Sequence, residues 1–336
     1  MATQSMAAET ERGITVRCCA KLNLSLAVLD RRPDGFHEIE SLMVPVSLAD
    51  TLFVRATAEP GIRLGVQFGG QLAGAGRILA RDVPTDDRNL VVRAATALAA
   101  EAGIDRGLSI HLVKHIPSGA GLGGGSSDAA AVLRAAAAAW EIDWPVERLA
   151  AIGARIGSDV PWFFAGGPAI ARGRGEVIVS APPLPPLFAV IACPATGLST
   201  AAVYAACTPD ASRRGDAERL AAILARGGFA EALPRLFNAL EPPARRLCPD
   251  IDRLLADLRR AGAVHSRLTG SGSACFALTR TASEARGIAA RLAAVRGGSD
   301  PVSSDPVSSE HIGSGGRNAW PGVFAVRVGG GPPGMM

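Results

Sequence analysis

The sequence predicts an α+β fold divided into two domains. Three observations carry that expectation. The chain has 336 residues, 48% of them hydrophobic and 20% charged, enough for a large buried core in more than one unit. Strand-like and helix-like stretches occur in both halves. The proline-marked stretch "APPLPPLFAVIACP" (181–194) then opens a second unit. The expected divisions are a disordered lead-in at 1–12, a first domain at 13–175 and a second at 176–328. Within the second, 298–318 reads as a disordered insertion, and 329–336 as a disordered tail.

Taken in order, 13–29 is apolar and bounded by turn residues, so it reads as one or two strands; Pro33-Asp34-Gly35 is a turn, and 41–56 is strand again. "DDRNLVVRAATALAAEAG" reads as a helix that opens on capping residues at Asp87 or Asn89 and closes at Gly103. "GLSIHLVKHI" alternates as a strand and runs into the glycine-rich "IPSGAGLGGGSSDAA" (116–130). A helix follows, with Ser126 or Ser127 near its N-cap, and then another from Pro145 to Gly157. Beyond 194 the expectation is a strand, helices near 218–225 and 250–262, strand at 266–279, a helix from 282 and a last strand at 322–328. "DPVSSDPVSS" is a five-residue direct repeat beginning at Asp300, in Gly/Ser-rich surroundings that suit a disordered loop.

The bulk properties narrow the function classes. Net charge is +4 and the basic residues are scattered, so no nucleic-acid footprint shows. No run of about 18 apolar residues suggests a membrane span. The N-terminus lacks the pattern of a secretory signal, with Met6 as an alternative start. The six cysteines form no CxxC pair or zinc spacing, which fits incidental thiols in a reducing, cytoplasmic setting.

The glycine loop admits several readings. Gly119, Gly121 and Gly124 fit a dinucleotide fingerprint, with Asp143 at the right distance. That acidic residue, however, sits at a helix end rather than a strand end. A Walker loop would need a lysine, and the loop holds none. The third reading is a different phosphate cradle, in which successive backbone N–H groups and a helix N-terminus face one oxyanion cluster. A bare flexible turn is the remaining alternative.

At this point a resemblance narrows the choice. "IPSGAGLGGGSSDAA" resembles the ATP-binding motif of the GHMP kinases. "IGSDVPWFFAGGPAIARGRGE" (156–176) resembles their second motif, and "RLTGSGSACFAL" (267–278) their third. "AKLNLSLAVLDRRPDGFHEIESLM" (20–43) is similar to the branch of that family whose acceptor is 4-diphosphocytidyl-2-C-methyl-D-erythritol. The likeness spans residues 16–278.

The resemblance implies a ribosomal protein S5 domain 2-like N-terminal domain and a ferredoxin-like C-terminal domain, with the active site in the cleft between them. It implies phosphoryl transfer from ATP to a small-molecule alcohol. Mg2+ would ride on the phosphates, with no protein ligand assigned. The expected state is monomer or weak dimer. Lys21 and Asp159 match the catalytic pair, Asp159 as general base. Pro117, Ser118, Gly119, Ala120, Gly121, Leu122, Gly123, Gly124, Gly125, Ser126 and Ser127 match the phosphate-holding loop. Asn89 and Lys114 align with the adenine side. Asn23, two residues from Lys21 and so on the same strand face, is expected at the acceptor. Phe36, His37 and Tyr204 would hold the cytosine ring, Phe36 standing where tyrosine is common. Thr200, Thr269, Gly270, Ser271 and Gly272 complete the expected substrate side.

Overall fold

The computed structural model describes residues 13–73, 83–295 and 320–329. The expected disorder at 1–12 and 298–318 falls outside these residues, as does all of the expected tail but its first residue. The order is β1 (Ile14–Arg31), β2 (His37–Thr57), β3 (Ile62–Phe68), α1 (Leu90–Ala102), β4 (Gly107–Lys114), α2 (Gly124–Ala139), α3 (Val146–Ile156), β5 (Ala169–Gly173), β6 (Val177–Ser180) and β7 (Leu187–Cys193). Then come α4 (Thr200–Ala205), α5 (Asp216–Ala225), α6 (Phe229–Ala232), β8 (Phe237–Asn238), α7 (Glu241–Leu247), α8 (Asp250–Arg260), β9 (Ser266–Leu268), β10 (Cys275–Thr279), α9 (Ala282–Ala293) and β11 (Gly322–Val328).

The α+β expectation holds. In the first half, β2 is the hub: it pairs antiparallel with β1, β4 and β5. The stretch 13–29 is a single long strand, and 62–68 is a strand the sequence reading missed. It lies parallel to β4, with glycine in its middle and half-buried residues that hide the apolar signal. In the second half β7 lies between β10 and β11, with β9 outside β10. The expected strand at 266–279 is thus two short strands broken by a loop. β11 also meets β2, through Val328 opposite Val46, so one sheet runs through both halves. β6 pairs with β5 and by pairing goes with the first half.

Three large cores, with a small fourth around Met43, Trp162, Ala169 and Ala171, fix the described elements. One packs α1, α2 and α3 onto the strands through Val91, Leu98, Val132, Leu133 and Ile152. A second fills the space between α7, α8, α9 and the second-half strands. The third is shared: Leu22, Leu24 and Val44 meet Ile191, Phe276 and Val326. Ile116, Ala120 and Leu122 also belong to it, so the apolar residues of the glycine loop act as its anchors. Burying each of the Val, Leu, Ile and Phe side chains contributes about 1.5–3 kcal/mol.

The helix boundaries follow local chemistry. Asn89 caps α1 by accepting from the Val91 N–H at 2.9 Å, and Gly103 closes it in the left-handed conformation. For α2 the expectation of a serine cap fails: the N-cap is Gly123 and no side chain caps the helix. Ser126 and Ser127 lie inside its first turn, because the glycines before them let the backbone turn helical earlier.

Candidate active site

A cavity of about 860 Å³ opens where the two halves meet. β1 delivers its chemistry. Register shifts fall between Cys19 and Lys21 and between Asn23 and Ser25, irregularities that re-aim side chains beside functional sites. Lys21 and Asn23 face the cavity while Ala20, Leu22 and Leu24 face the shared core. The Lys21 ammonium is buried, donates to Asn23 Oδ1 at 2.6 Å and lies 3.7 Å from an Asp159 carboxylate oxygen. Asn23 is held in turn: its Nδ2 donates to the Ser41 hydroxyl at 2.8 Å and its backbone N–H to the Thr269 hydroxyl at 3.0 Å. Burial pushes the Lys21 pKa down, and the Asp159 carboxylate offsets part of that fall.

Asp159 sits in the turn between α3 and the short 3₁₀ segment Pro161–Phe164. Its side chain is 36% exposed, against 3% for Lys21. A carboxylate open to the cleft with a buried cation behind it is arranged to take a proton from something that enters the cleft.

The glycine loop forms one wall. Gly119, Gly121, Gly123 and Ser126 line the cavity. Gly121 has φ +79°, and a Cβ there would stand 2.3 Å from the Thr269 carbonyl oxygen. Gly123 has φ +72°, and its Cβ would meet the Lys21 stem at 2.9 Å. Only glycine tolerates both constraints. The loop is tied to β1 by the Lys21 N–H to the Leu122 carbonyl (3.0 Å) and to the 269–274 loop by the Ala274 N–H to the Ala120 carbonyl (3.1 Å). The uncapped start of α2 adjoins it, and such a terminus favours anions.

Another part of the lining is aromatic. His37 and Tyr204 have ring centroids 5.3 Å apart at a 37° tilt. Phe36 is 49% exposed, with the Arg174 guanidinium 4.8 Å from its ring centroid. Burial, aided by Arg31, holds the His37 imidazole below its ordinary 6.5. Burial and then the Asp159 charge push the Tyr204 hydroxyl above its usual range.

The other expected site residues divide as follows. Thr200, Gly270, Ser271 and Gly272 line the cavity, with the Thr200 and Ser271 hydroxyls 2.8 Å apart. Pro117, Ser118, Ala120, Leu122, Gly124, Gly125 and Ser127 do not line it, and Thr269 supports Asn23 from behind. Asn89 and Lys114 do not line the cavity and have partners within the protein. Asn89 Nδ2 donates to the Pro84 carbonyl while its oxygen caps α1. Lys114 is paired with Asp50 and Asp128. A lysine this deeply buried needs carboxylate partners, and both were invisible from its sequence neighbourhood.

Family models for the GHMP kinases N terminal domain and the GHMP kinases C terminal match residues 89–167 and 208–296. A 4-diphosphocytidyl-2-C-methyl-D-erythritol kinase of Pelotomaculum thermopropionicum is 41% identical over 83% of this chain and 93% of its own length. The chain belongs to the GHMP kinases. A kinase of the same name from Rhodopirellula baltica is 43% identical over 79% of this chain and 87% of its own. A solved structure of 4-(cytidine 5'-diphospho)-2C-methyl-D-erythritol kinase superposes with TM-score 0.69 at 35% identity, covering 94% of this chain and 100% of that one. An L. major mevalonate kinase, at 16% identity and TM-score 0.66 over 95% of this chain and 96% of its own, shares the fold.

This GHMP kinase also shows residues that motif reading passed over. Arg31, Ser158 and Arg174 line the same cavity. Arg174 lies inside the quoted second motif, and an arginine directly after a strand end carries no local mark of its role. Among the described residues no helix is long and apolar enough to cross a membrane.

Proposed function

We propose that the chain transfers the γ-phosphoryl group of ATP to the 2-hydroxyl of 4-diphosphocytidyl-2-C-methyl-D-erythritol. The products are the 2-phosphate and ADP, a step of the non-mevalonate isoprenoid pathway. One observation carries the reading: the Lys21–Asp159 pair stands in a single cleft lined by the glycine loop and by Phe36, His37 and Tyr204. The names of the relatives support it.

The glycine loop and the α2 N-terminus hold the phosphates of ATP through backbone N–H groups, aided by the Ser126 hydroxyl. Asp159 accepts the proton of the acceptor hydroxyl as its oxygen attacks phosphorus. Lys21 sets its ammonium 3.7 Å from that carboxylate and lies where charge develops. Asn23 fixes Lys21. Magnesium prefers oxygen donors and keeps several waters. The Ser126 hydroxyl and the Asp159 carboxylate are oxygen donors on this cleft, so an ion carried on the phosphates fits. When bound, it neutralises charge on the transferring group.

At the aromatic part of the lining, Phe36 and Tyr204 supply ring faces for a pyrimidine, and the neutral His37 offers one donor and one acceptor to its edge. Arg31 and Arg174 place positive charge beside an acceptor that carries a diphosphate.

A coupled ADP-release assay on the purified chain tests the reading. Turnover is expected with the diphosphocytidyl acceptor. Turnover with mevalonate or homoserine instead would overturn it.

A further inference from the structure

Three deeply buried charged groups in the first half take no part in the scheme above. Asp50 on β2, Lys114 at the end of β4 and Asp128 on α2 form one buried triad, their side chains at most 4% exposed. Lys114 Nζ donates to Asp50 Oδ2 and, at 2.8 Å, to Asp128 Oδ2. Asp50 Oδ1 accepts the backbone N–H groups of His115 and Ile116. Those two residues lead directly into the glycine loop, and Asp128 follows directly after it. The triad therefore grips both ends of the segment from Pro117 to Ser127. Among the described residues no other ion pair joins those ends.

Such a network is poorly explained as a source of stability. Replacing a buried ion triad by apolar groups is often neutral or stabilising, and this one leaves Asp128 Oδ1 buried without a hydrogen-bond partner, whereas its bonds among Asp50, Lys114, Asp128, His115 and Ile116 impose one geometry. The loop needs that. Glycines in left-handed conformations give it little shape of its own, yet a phosphate cradle must hold its N–H groups to within a fraction of an ångström. We propose that Asp50, Lys114 and Asp128 are positioning residues, a strut that sets the distance between the approach to the glycine loop and the helix that leaves it. This assigns Lys114 to the strut and not to contact with the adenine. The proposal rests on the loop being the ATP site.

Asp50→Asn, Asp128→Asn and Lys114→Met variants of the full chain test it. Affinity for a non-hydrolysable ATP analogue is measured by calorimetry, KM for each substrate by steady-state assay, and Tm by thermal denaturation. Asp50→Asn and Asp128→Asn are expected to weaken nucleotide binding on the order of tenfold or more, with KM for the acceptor unchanged. Lys114→Met combined with Asp128→Asn is expected to be no weaker than Lys114→Met alone, since one strut is already broken. Loss of nucleotide affinity in Lys114→Met alone, with both aspartate variants like wild type, would overturn the strut in favour of direct contact. A lowered Tm with wild-type nucleotide affinity in the folded fraction would overturn it in favour of a purely structural role. If Asp50→Asn does not fold, the milder Asp128→Asn decides by the same criteria. A wild-type chain that binds no ATP analogue would overturn the ATP reading, and the strut with it. Wild-type binding with unchanged aspartate variants overturns the strut alone.

Discussion

The Lys21 ammonium stands 3.7 Å from the Asp159 carboxylate yet hydrogen-bonds to Asn23, at 2.6 Å. The lysine is thus fixed by its strand neighbour and leaves the aspartate free to turn toward the cleft. The pair is an electrostatic partnership across two distant segments, with only the aspartate open to solvent.

Asp159→Asn keeps the shape and removes the base. It is expected to lower kcat by about 10²–10⁴-fold with the affinity for an ATP analogue unchanged. Single-turnover kinetics beside calorimetry check both halves of the statement.

Lys21 titrates below its ordinary 10.5, burial being the main cause. Between its folded value and 10.5 the folded chain has given up a proton that the unfolded chain keeps. Stability therefore gains from this site as pH rises through that window, while activity falls as the ammonium is lost. The alkaline limb of kcat should begin below 10.5. The wild-type stability measured against Lys21→Met should rise over the same range.

His37 titrates below 6.5 through burial and the nearby Arg31 charge. At pH 7 it is neutral. On acidification the unfolded chain takes the proton first, so this site's contribution to stability falls as pH drops from 6.5 through the folded value. KM for the cytidylyl acceptor should stay flat near neutrality and rise only below that value. His37→Ala should raise that KM and leave the KM for ATP alone.

Gly121→Ala places a Cβ 2.3 Å from the Thr269 carbonyl in a left-handed backbone. The conformation alone costs about 1–2 kcal/mol, and the contact must push the two loops apart. A lower Tm together with a higher KM for ATP is the expected result. A lower Tm with unchanged KM would mean that the loops move without disturbing the cradle.

Phe36 is half exposed beneath the Arg174 guanidinium. Phe36→Ala should cost little stability, since an exposed ring buries little area. Its effect should fall on KM for the acceptor, and Arg174→Met should act in the same direction.

Much of this arrangement was legible in the sequence because its signals are local. The period of two puts Lys21 and Asn23 on one face of β1, and Gly103 marks the end of α1. The glycine loop lies between the strand and helix expected on either side. What stayed hidden depended on partners far along the chain. Lys114 cannot be told from a nucleotide contact until Asp50, 64 residues earlier, is seen against it. Asn89 was expected beside a ligand, and the fold shows its side chain also bonded to Val91 and Pro84. The serine cap of α2 was misplaced because glycine can start a helix without a side-chain bond. Arg174 became meaningful only when the fold laid it over Phe36.

The seam strand β11 imposes an order on biosynthesis. It pairs along the whole of β7 and touches β2 through Val328, yet it is translated after every other described element. Until it leaves the ribosome, β7 has an open edge and the shared core lacks Val326 and Val328. The nascent chain must therefore carry an unfinished sheet through most of its synthesis. A messenger truncated before codon 322 would yield a product with a sticky edge and an incomplete shared core, a substrate for chaperones rather than for catalysis.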